Sequence, residues 1–270
     1  MDQPETFTAT LKFLAPSDTP PVYRASQGGA DAQLDLEGDY AEHRVEIANG
    51  RLIEGLSFER DGFYLMVQKS GIGDFYDDSQ VEDLYSREVE ALVKQVTGAS
   101  NTRCFDHTRR AASRQARGRH GTREPSAVVH NDYTDKSGPQ RVRDMMGEEA
   151  EALLARRFAI VNVWRPIRHP AETSLLALCR ANSARPCDLI ATPRIAKDRI
   201  GELMLAHHHP DQSWVTFPAM TPDEVLLLKT YDSEADGRAR FAIHTAFDNP
   251  SAPAAAKPRE SIESRVFAFF

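Results

Sequence analysis

Apolar and polar residues mostly alternate in short runs, and two stretches switch to helical spacing. Residues 8–14 alternate weakly and predict an edge strand, and residues 63–68 predict a short one. Residues 17–38 are rich in Pro, Gly, Ser and Asp and read as loop. Residues 80–96 carry Val81, Leu84, Tyr85, Val89, Leu92, Val93 and Val96 with charges between, which is the spacing of an amphipathic helix. Asp77, Asp78 or Ser79 is placed to cap it, and Gly98 to end it. A strand runs into a turn over 126–134, and residues 140–157 form a second helical stretch with Met145, Met146, Ala150, Leu153 and Leu154 as its stripe. Residues 158–164 are a strong strand. Shorter candidates follow at 175–179, 214–217, 225–231, 241–246 and 261–269, separated by Pro, Gly and Asp clusters. Many short strands with a few helices predict a mainly β protein, a sandwich or barrel with helical support.

Composition narrows the function classes. A chain of 270 residues fits one large domain or at most two. The formal charge of −7 argues against a general nucleic-acid binder and against membrane attachment through overall charge. Three cysteines, Cys104, Cys179 and Cys187, without a Cys-x-x-Cys pair, make a disulfide framework or a cysteine zinc site an unlikely design. No apolar run approaches the ~20 residues that span a bilayer, and MDQPETFTAT lacks the pattern of a signal peptide, so the expected compartment is the cytoplasm.

Residues 103–123 stand apart, with seven arginines and two histidines against the single acid Asp106. The plain reading is a solvated, mobile loop. The functional reading is an anion-facing lid or substrate clamp, which would favour an acidic substrate.

Three features carry chemistry. In His130-Asn131-Asp132, residues i and i+2 of an extended chain share a face, so an imidazole and a carboxylate project together, donors that suit Fe(II). His244 shares a strand face with the small Ala242 and Ala246, which leaves open space before its ring. Arg259 and Ser261 share a face fifteen positions after His244, and a guanidinium fork with a hydroxyl grips a carboxylate. Together they match the pattern of Fe(II)/2-oxoglutarate oxygenases: two histidines and one carboxylate on one face of the metal, with a cation behind for the far carboxylate of the co-substrate.

The stretches His130-Asn131-Asp132-Tyr133-Thr134, Asn162-Val163-Trp164-Arg165-Pro166, Pro222-Asp223-Glu224-Val225-Leu226-Leu227-Leu228-Lys229, Tyr231-Asp232-Ser233, His244-Thr245-Ala246-Phe247 and Arg259-Glu260-Ser261-Ile262-Glu263 resemble the AsaB-type hydroxylase/desaturase family. That family includes a gibberellin desaturase and a cephem methoxylase component. The resemblance covers roughly residues 84–270. It implies a double-stranded β-helix (jelly-roll, cupin-like) core, Fe(II), 2-oxoglutarate, O2 and oxidation of an unactivated carbon in a small specialised metabolite. It also implies a single domain over 1–270, with 1–80 as an extension packing on the core and 101–125 as an Arg-rich loop. One departure is Arg180, which follows Leu178-Cys179 where the family pattern has Asp. The separation of 114 positions between His130 and His244 (244 − 130) is long, and residues 140–157 and 194–206 would account for it as insertions.

The remaining candidates are weaker. Asn162 is a candidate for hydrogen bonding the co-substrate carboxylate, and Tyr133, Thr134, Trp164 and Arg165 for lining the substrate pocket. Lys229 and Arg265 rival Arg259 as anchor, His107 rivals His130 as first ligand, and His207-His208-His209 is a weak metal cluster because adjacent side chains diverge. The expected partner is a small molecule, carboxylate-bearing on the strength of the arginines, with no nucleic acid and no membrane; a homodimer stays open. Alternative readings are a barrel that binds a small acid without catalysis, a zinc hydrolase on the same three ligands, and a nucleic-acid demethylase of the same superfamily.

Overall fold

The computed structural model describes residues 4–197 and 199–270. In chain order its strands are β1 (Thr6–Leu14), β2 (Val22–Arg24), β3 (Asp35–Glu37), β4 (Tyr40–Asn49), β5 (Phe63–Val67), β6 (Asn101–Ala111), β7 (His130–Asn131), β8 (Phe158–Pro166), β9 (Ser174–Cys179), β10 (Leu189–Ala196), β11 (Arg199–Ala206), β12 (Trp214–Thr216), β13 (Glu224–Asp232), β14 (His244–Asp248) and β15 (Glu260–Phe269). They form two curled sheets. The major sheet runs β1-β4-β12-β9-β14-β7-β11-β10-β2-β3 and the minor sheet β5-β13-β8-β15-β6. Pairing is antiparallel except between β12 and β4 and between β10 and β2. The sheets face each other as a double-stranded β-helix, the jelly roll expected from the resemblance.

Every residue of β8 is buried, because the strand lies between β13 and β15 with both faces covered. Trp164 points inward with Phe63, Leu226 and Leu228 against Ile47, Leu175, Ala177, Val215 and Phe247 of the major sheet. Ala159, Val161 and Val163 point outward beneath the helix Ser86–Thr97, which seats Val89, Leu92 and Val93 on them. Each such aliphatic side chain contributes about 1.5–3 kcal/mol on leaving water. Asp77 caps the helical stretch by accepting from the amides of Ser79 and Gln80, and Gly98 ends it at φ 71°. Between cap and helix, Val81–Tyr85 winds as a wider π turn. The extra residue per turn rotates the face, so Leu84, an expected stripe residue, is solvent-exposed.

Four expectations change. The first 80 residues are built into the sheets, with β1 and β4 in the major sheet and β5 at an edge of the minor one, rather than appended to a finished core. The amide of Val129 even donates to Lys12 O at 2.9 Å, fastening β1 to the segment that enters β7. Residues 103–123 are not an open loop: β6 pairs along β15, and a helix, Arg114–His120, follows with Ser113 as its cap. Arg117 is spent on the carbonyls of Ala111 and Ala112, and Arg109 on Phe75 O and Asp78. The region taken as an insertion at 194–206 contains β11, which pairs directly with β7. The helical stretch at 140–157 is two helices, Ser137–Met146 and Ala150–Leu154, divided at Gly147, where φ is 55°.

Candidate metal and co-substrate site

β7 is only two residues long, yet it aligns the chemistry. His130 lies opposite His244 of β14 in an antiparallel pair, so their rings meet with centroids 4.5 Å apart. Asp132, two residues on, joins the same face. One ligand atom from each of His130, Asp132 and His244 lies within 4.8 Å of the others. His130 Nε2 is 3.7 Å from Asp132 Oδ1.

The hydrogen bonds behind these groups decide which atoms they present. His130 Nδ1 lies 2.8 Å from Val128 O, and His244 Nδ1 lies 2.9 Å from Ala242 O. A carbonyl only accepts, so each Nδ1 carries the proton and each Nε2 turns a lone pair to the common centre. Burial first, and then neighbouring His244, push His130 down to about 3, which keeps its ring neutral and able to coordinate. Asp132 Oδ2 accepts from Asn162 Nδ2 at 2.8 Å and from Arg265 Nε at 3.0 Å, which leaves Oδ1 toward the histidines. Burial alone would raise this carboxyl, but Arg265, helped by the Asn162 hydrogen bond, holds it far below the usual carboxylate range. Two imidazole nitrogens and a carboxylate oxygen suit a divalent iron.

Beyond the histidines a narrow cavity is lined by Arg110, Ser126, Trp164, Ala246, Arg259 and Glu263 among others. Arg259 is 1% exposed. Its Nη1 donates to Ser174 O at 2.8 Å and its guanidinium lies 5.6 Å from the Trp164 ring. Its Nε and the Ser261 hydroxyl are buried without a partner among the described residues. Burial and the nearby Arg110 push Arg259 down to about 9, still cationic at neutral pH. Two orphaned donors beside a buried cation are what a carboxylate ligand would satisfy, so the residues fit a diacid co-substrate.

Not every candidate joins this group. Arg165 lies on the outer face of β8, donates to Gln68 O and Pro222 O, and stacks near Phe75 and Tyr85, so it cannot line a pocket at the metal. Thr134 turns its hydroxyl to the amides of Lys136 and Ser137 and to Glu202, capping the helix that follows rather than facing a substrate. Tyr133 packs with Val142, Phe158, Tyr231 and Phe267. Asn162 holds Asp132 instead of the co-substrate, and its Oδ1 accepts from Thr230 Oγ1. Lys229 is buried against Glu59 at 2.7 Å and Asp232 at 3.4 Å. Arg265 is occupied by Asp132, Asp106 and Glu263, so neither rivals Arg259. His107 bonds Ser264 and Ser86 under the helix Ser86–Thr97. The histidine triplet diverges: His207 meets Leu14 O, His208 stacks on His43 and His209 approaches Asp211. Arg180, the family departure, pairs with buried Asp61 at 2.7 Å. The grip of Arg265 on Asp132 was missed, although its i+2 spacing from Glu263, on the face of Arg259 and Ser261, was readable.

Residues 11–269 match the family model described as an oxidoreductase/YMDC permease-like domain, and the chain belongs to that family. It is 35% identical over 196 residues to the Fe(II)/2-oxoglutarate-dependent dioxygenase nvfI of Aspergillus novofumigatus, covering 72% of this chain and 69% of the relative. The chain is an Fe(II)/2-oxoglutarate-dependent oxygenase. This oxygenase is also 30% identical over 257 residues to the hydroxylase/desaturase CTB9 of Cercospora beticola, covering 86% and 78% of the two chains. Its fold superposes on a solved structure titled iron and alpha-ketoglutarate-dependent endoperoxidase NvfI with a TM-score of 0.84 and 26% identity, over 98% of each chain. The resemblance to hydroxylase/desaturases is thereby borne out. The oxygenase uses Fe(II), 2-oxoglutarate and O2 to oxidise a small molecule of specialised metabolism, which sets aside the non-catalytic and zinc-hydrolase readings. Among the described residues no helix is long and apolar enough to cross a membrane.

Proposed function

We propose that His130, Asp132 and His244 hold the Fe(II), that Arg259 and Ser261 bind the far carboxylate of 2-oxoglutarate, and that Asn162 and Arg265 fix the metal-binding carboxylate. When bound, iron with its keto-acid co-substrate activates O2 to remove hydrogen from an unactivated carbon. The residues of the chain do the rest. Val128 O and Ala242 O hold both rings by Nδ1 and keep both Nε2 atoms aimed. Asn162 and Arg265 hold Asp132 ionised and in one orientation. Trp164 and Ala246 wall the cavity and exclude water. Hydroxylation and desaturation share the first hydrogen removal, so one site of this kind serves either outcome.

The observation that carries the reading is the meeting of three donors at 4.8 Å or less from segments 114 positions apart (244 − 130). The two cavities that His130 lines are each about 20 Å³, and Arg110 lines both. Entry of a five-carbon diacid therefore requires side chains, Arg110 first, to withdraw. The test is succinate formation and equilibrium Fe(II) binding in wild type, His130→Ala and His244→Ala. Both variants should lose tight iron and turnover together; turnover surviving in His130→Ala would refute the ligand assignment.

A further inference from the structure

Beside His130 and Asp132, a second narrow cavity is walled by Tyr23, Arg110, Arg123, Glu124, Arg194 and Arg265. Four separate segments bring the arginines together, Arg265 coming from β15. Arg110 ends β6, Arg123 bridges alongside it after the helix Arg114–His120, and Arg194 comes from β10, opposite Tyr23 of β2. Glu124 and Asp132 share the cavity with these guanidiniums. The charges are unevenly used. Arg265 already holds Asp132, Asp106 and Glu263. Arg110 donates to the carbonyl of Glu124 at 2.8 Å, and the Glu124 carboxylate accepts from Ser26 at 2.6 Å. Apart from the His130–Asp132 contact, the ion pairs made by the cavity's residues all run to Arg265, and among the described residues none reaches Arg123 or Arg194.

Arg123 is half-buried, and burial together with Arg110, Arg194 and Arg265 pulls it below the usual guanidinium range. Arg123 and Arg194 are thus the two cavity guanidiniums without a carboxylate or carbonyl partner among the described residues, and a planar fork is shaped for a carboxylate. The wall that holds them also contains His130 and Asp132, so a molecule anchored there presents its neighbouring carbons to the metal.

We propose that Arg123 and Arg194 are the specificity-determining pair of this oxygenase and bind a carboxylate on the molecule it oxidises. This rests on the assignment of the metal to His130, Asp132 and His244. The co-substrate's own carboxylates are the competing ligand, and the test separates the two.

The full-length protein, loaded with Fe(II) and 2-oxoglutarate without air, is titrated by calorimetry with cyclohexanecarboxylate and with its uncharged isostere cyclohexanecarboxamide. The acid should bind at least tenfold tighter than the amide. Arg123→Gln and Arg194→Gln should each erase that preference, keep the wild-type melting temperature and keep the Kd for 2-oxoglutarate within twofold. Equal binding of acid and amide, no binding of the acid, or an unchanged preference in both variants would overturn the proposal. So would a tenfold loss of 2-oxoglutarate affinity in the variants, which would assign the arginines to the co-substrate. Iron binding by His130→Ala, measured in parallel, reports on the metal assignment alone: retained tight iron sinks that assignment and leaves the acid–amide comparison standing.

Discussion

Asp132 has two carboxylate oxygens, and the fold employs them differently. Oδ2 is held by Asn162 and Arg265, while Oδ1 faces the imidazoles. Asn162→Ala should therefore weaken Fe(II) binding about 10- to 100-fold, the usual cost of losing a partner behind a metal ligand, while the melting temperature of the metal-free protein moves little. Arg265→Gln should do more. It leaves Asp106, Asp132 and Glu263 without their shared cation, at a cost of roughly 3–5 kcal/mol, read as a lower urea midpoint. At this scale the convergence of His130, Asp132 and His244 was legible only from the three features taken together, since strand alternation gives each one a face but not a common centre. The partners of Asn162 were not. A buried amide must find acceptors, but whether it meets the metal carboxylate or the co-substrate depends on how β8 faces β7 across the interior. Thr134 was misread because a threonine after a strand serves equally as a pocket wall or as a helix cap.

Between elements, the seam of the helix Ser86–Thr97 on β6 and β15 contains His107, bonded to Ser264 at 2.7 Å and Ser86 at 2.9 Å. Burial pushes its ring down to about 4, against the opposing pull of Asp106. The unfolded chain takes up that proton near pH 6.5. Stability from the neutral ring is thus complete above pH 6.5, declines as pH falls from there toward 4, and levels off below. His107→Gln should flatten the slope of unfolding free energy over that window, as measured by urea titration at several pH values. Gly50, just after β4, allows a close approach: a Cβ there would meet the Phe217 ring at 2.4 Å and Val215 at 2.7 Å. Gly50→Ala should cost about 1–3 kcal/mol with an unchanged denaturant slope. The elements read correctly, β8, β13 and β15, each contain an apolar core, Ala159–Val161, Val225–Leu228 and Val266–Phe269. Those missed, β2, β3, β4, β6, β10 and β11, carry polar or charged residues. β6 in particular is an edge strand, and its run of polar and charged residues mimics loop chemistry.

For the whole molecule, ligand binding and folding are coupled, because the proposed metal site joins β7 to β14 and the proposed co-substrate site joins β15 to β9. Fe(II) should raise the melting temperature on its own, and 2-oxoglutarate should add a further increment, with about 2.7 kcal/mol gained for a ligand at 100 times its Kd. In Arg259→Gln the metal increment should persist and the 2-oxoglutarate increment vanish, as read by anaerobic calorimetry. The jelly roll itself was legible mainly through family likeness. Periodicity reached only as far as a sandwich or barrel, since the order in which strands pair is a long-range property that no local window contains.

The placement of β15 also bears on biosynthesis of the protein. The segment Glu260–Phe269 lies between β8 and β6, which precede it in the chain by about a hundred residues or more. While it is still inside the ribosome, the strands on either side expose bare edges, and Arg259 and Arg265 have not yet arrived. A nascent chain stalled before residue 260 should therefore remain protease-sensitive, and tight iron loading should wait until Glu260–Phe269 has emerged.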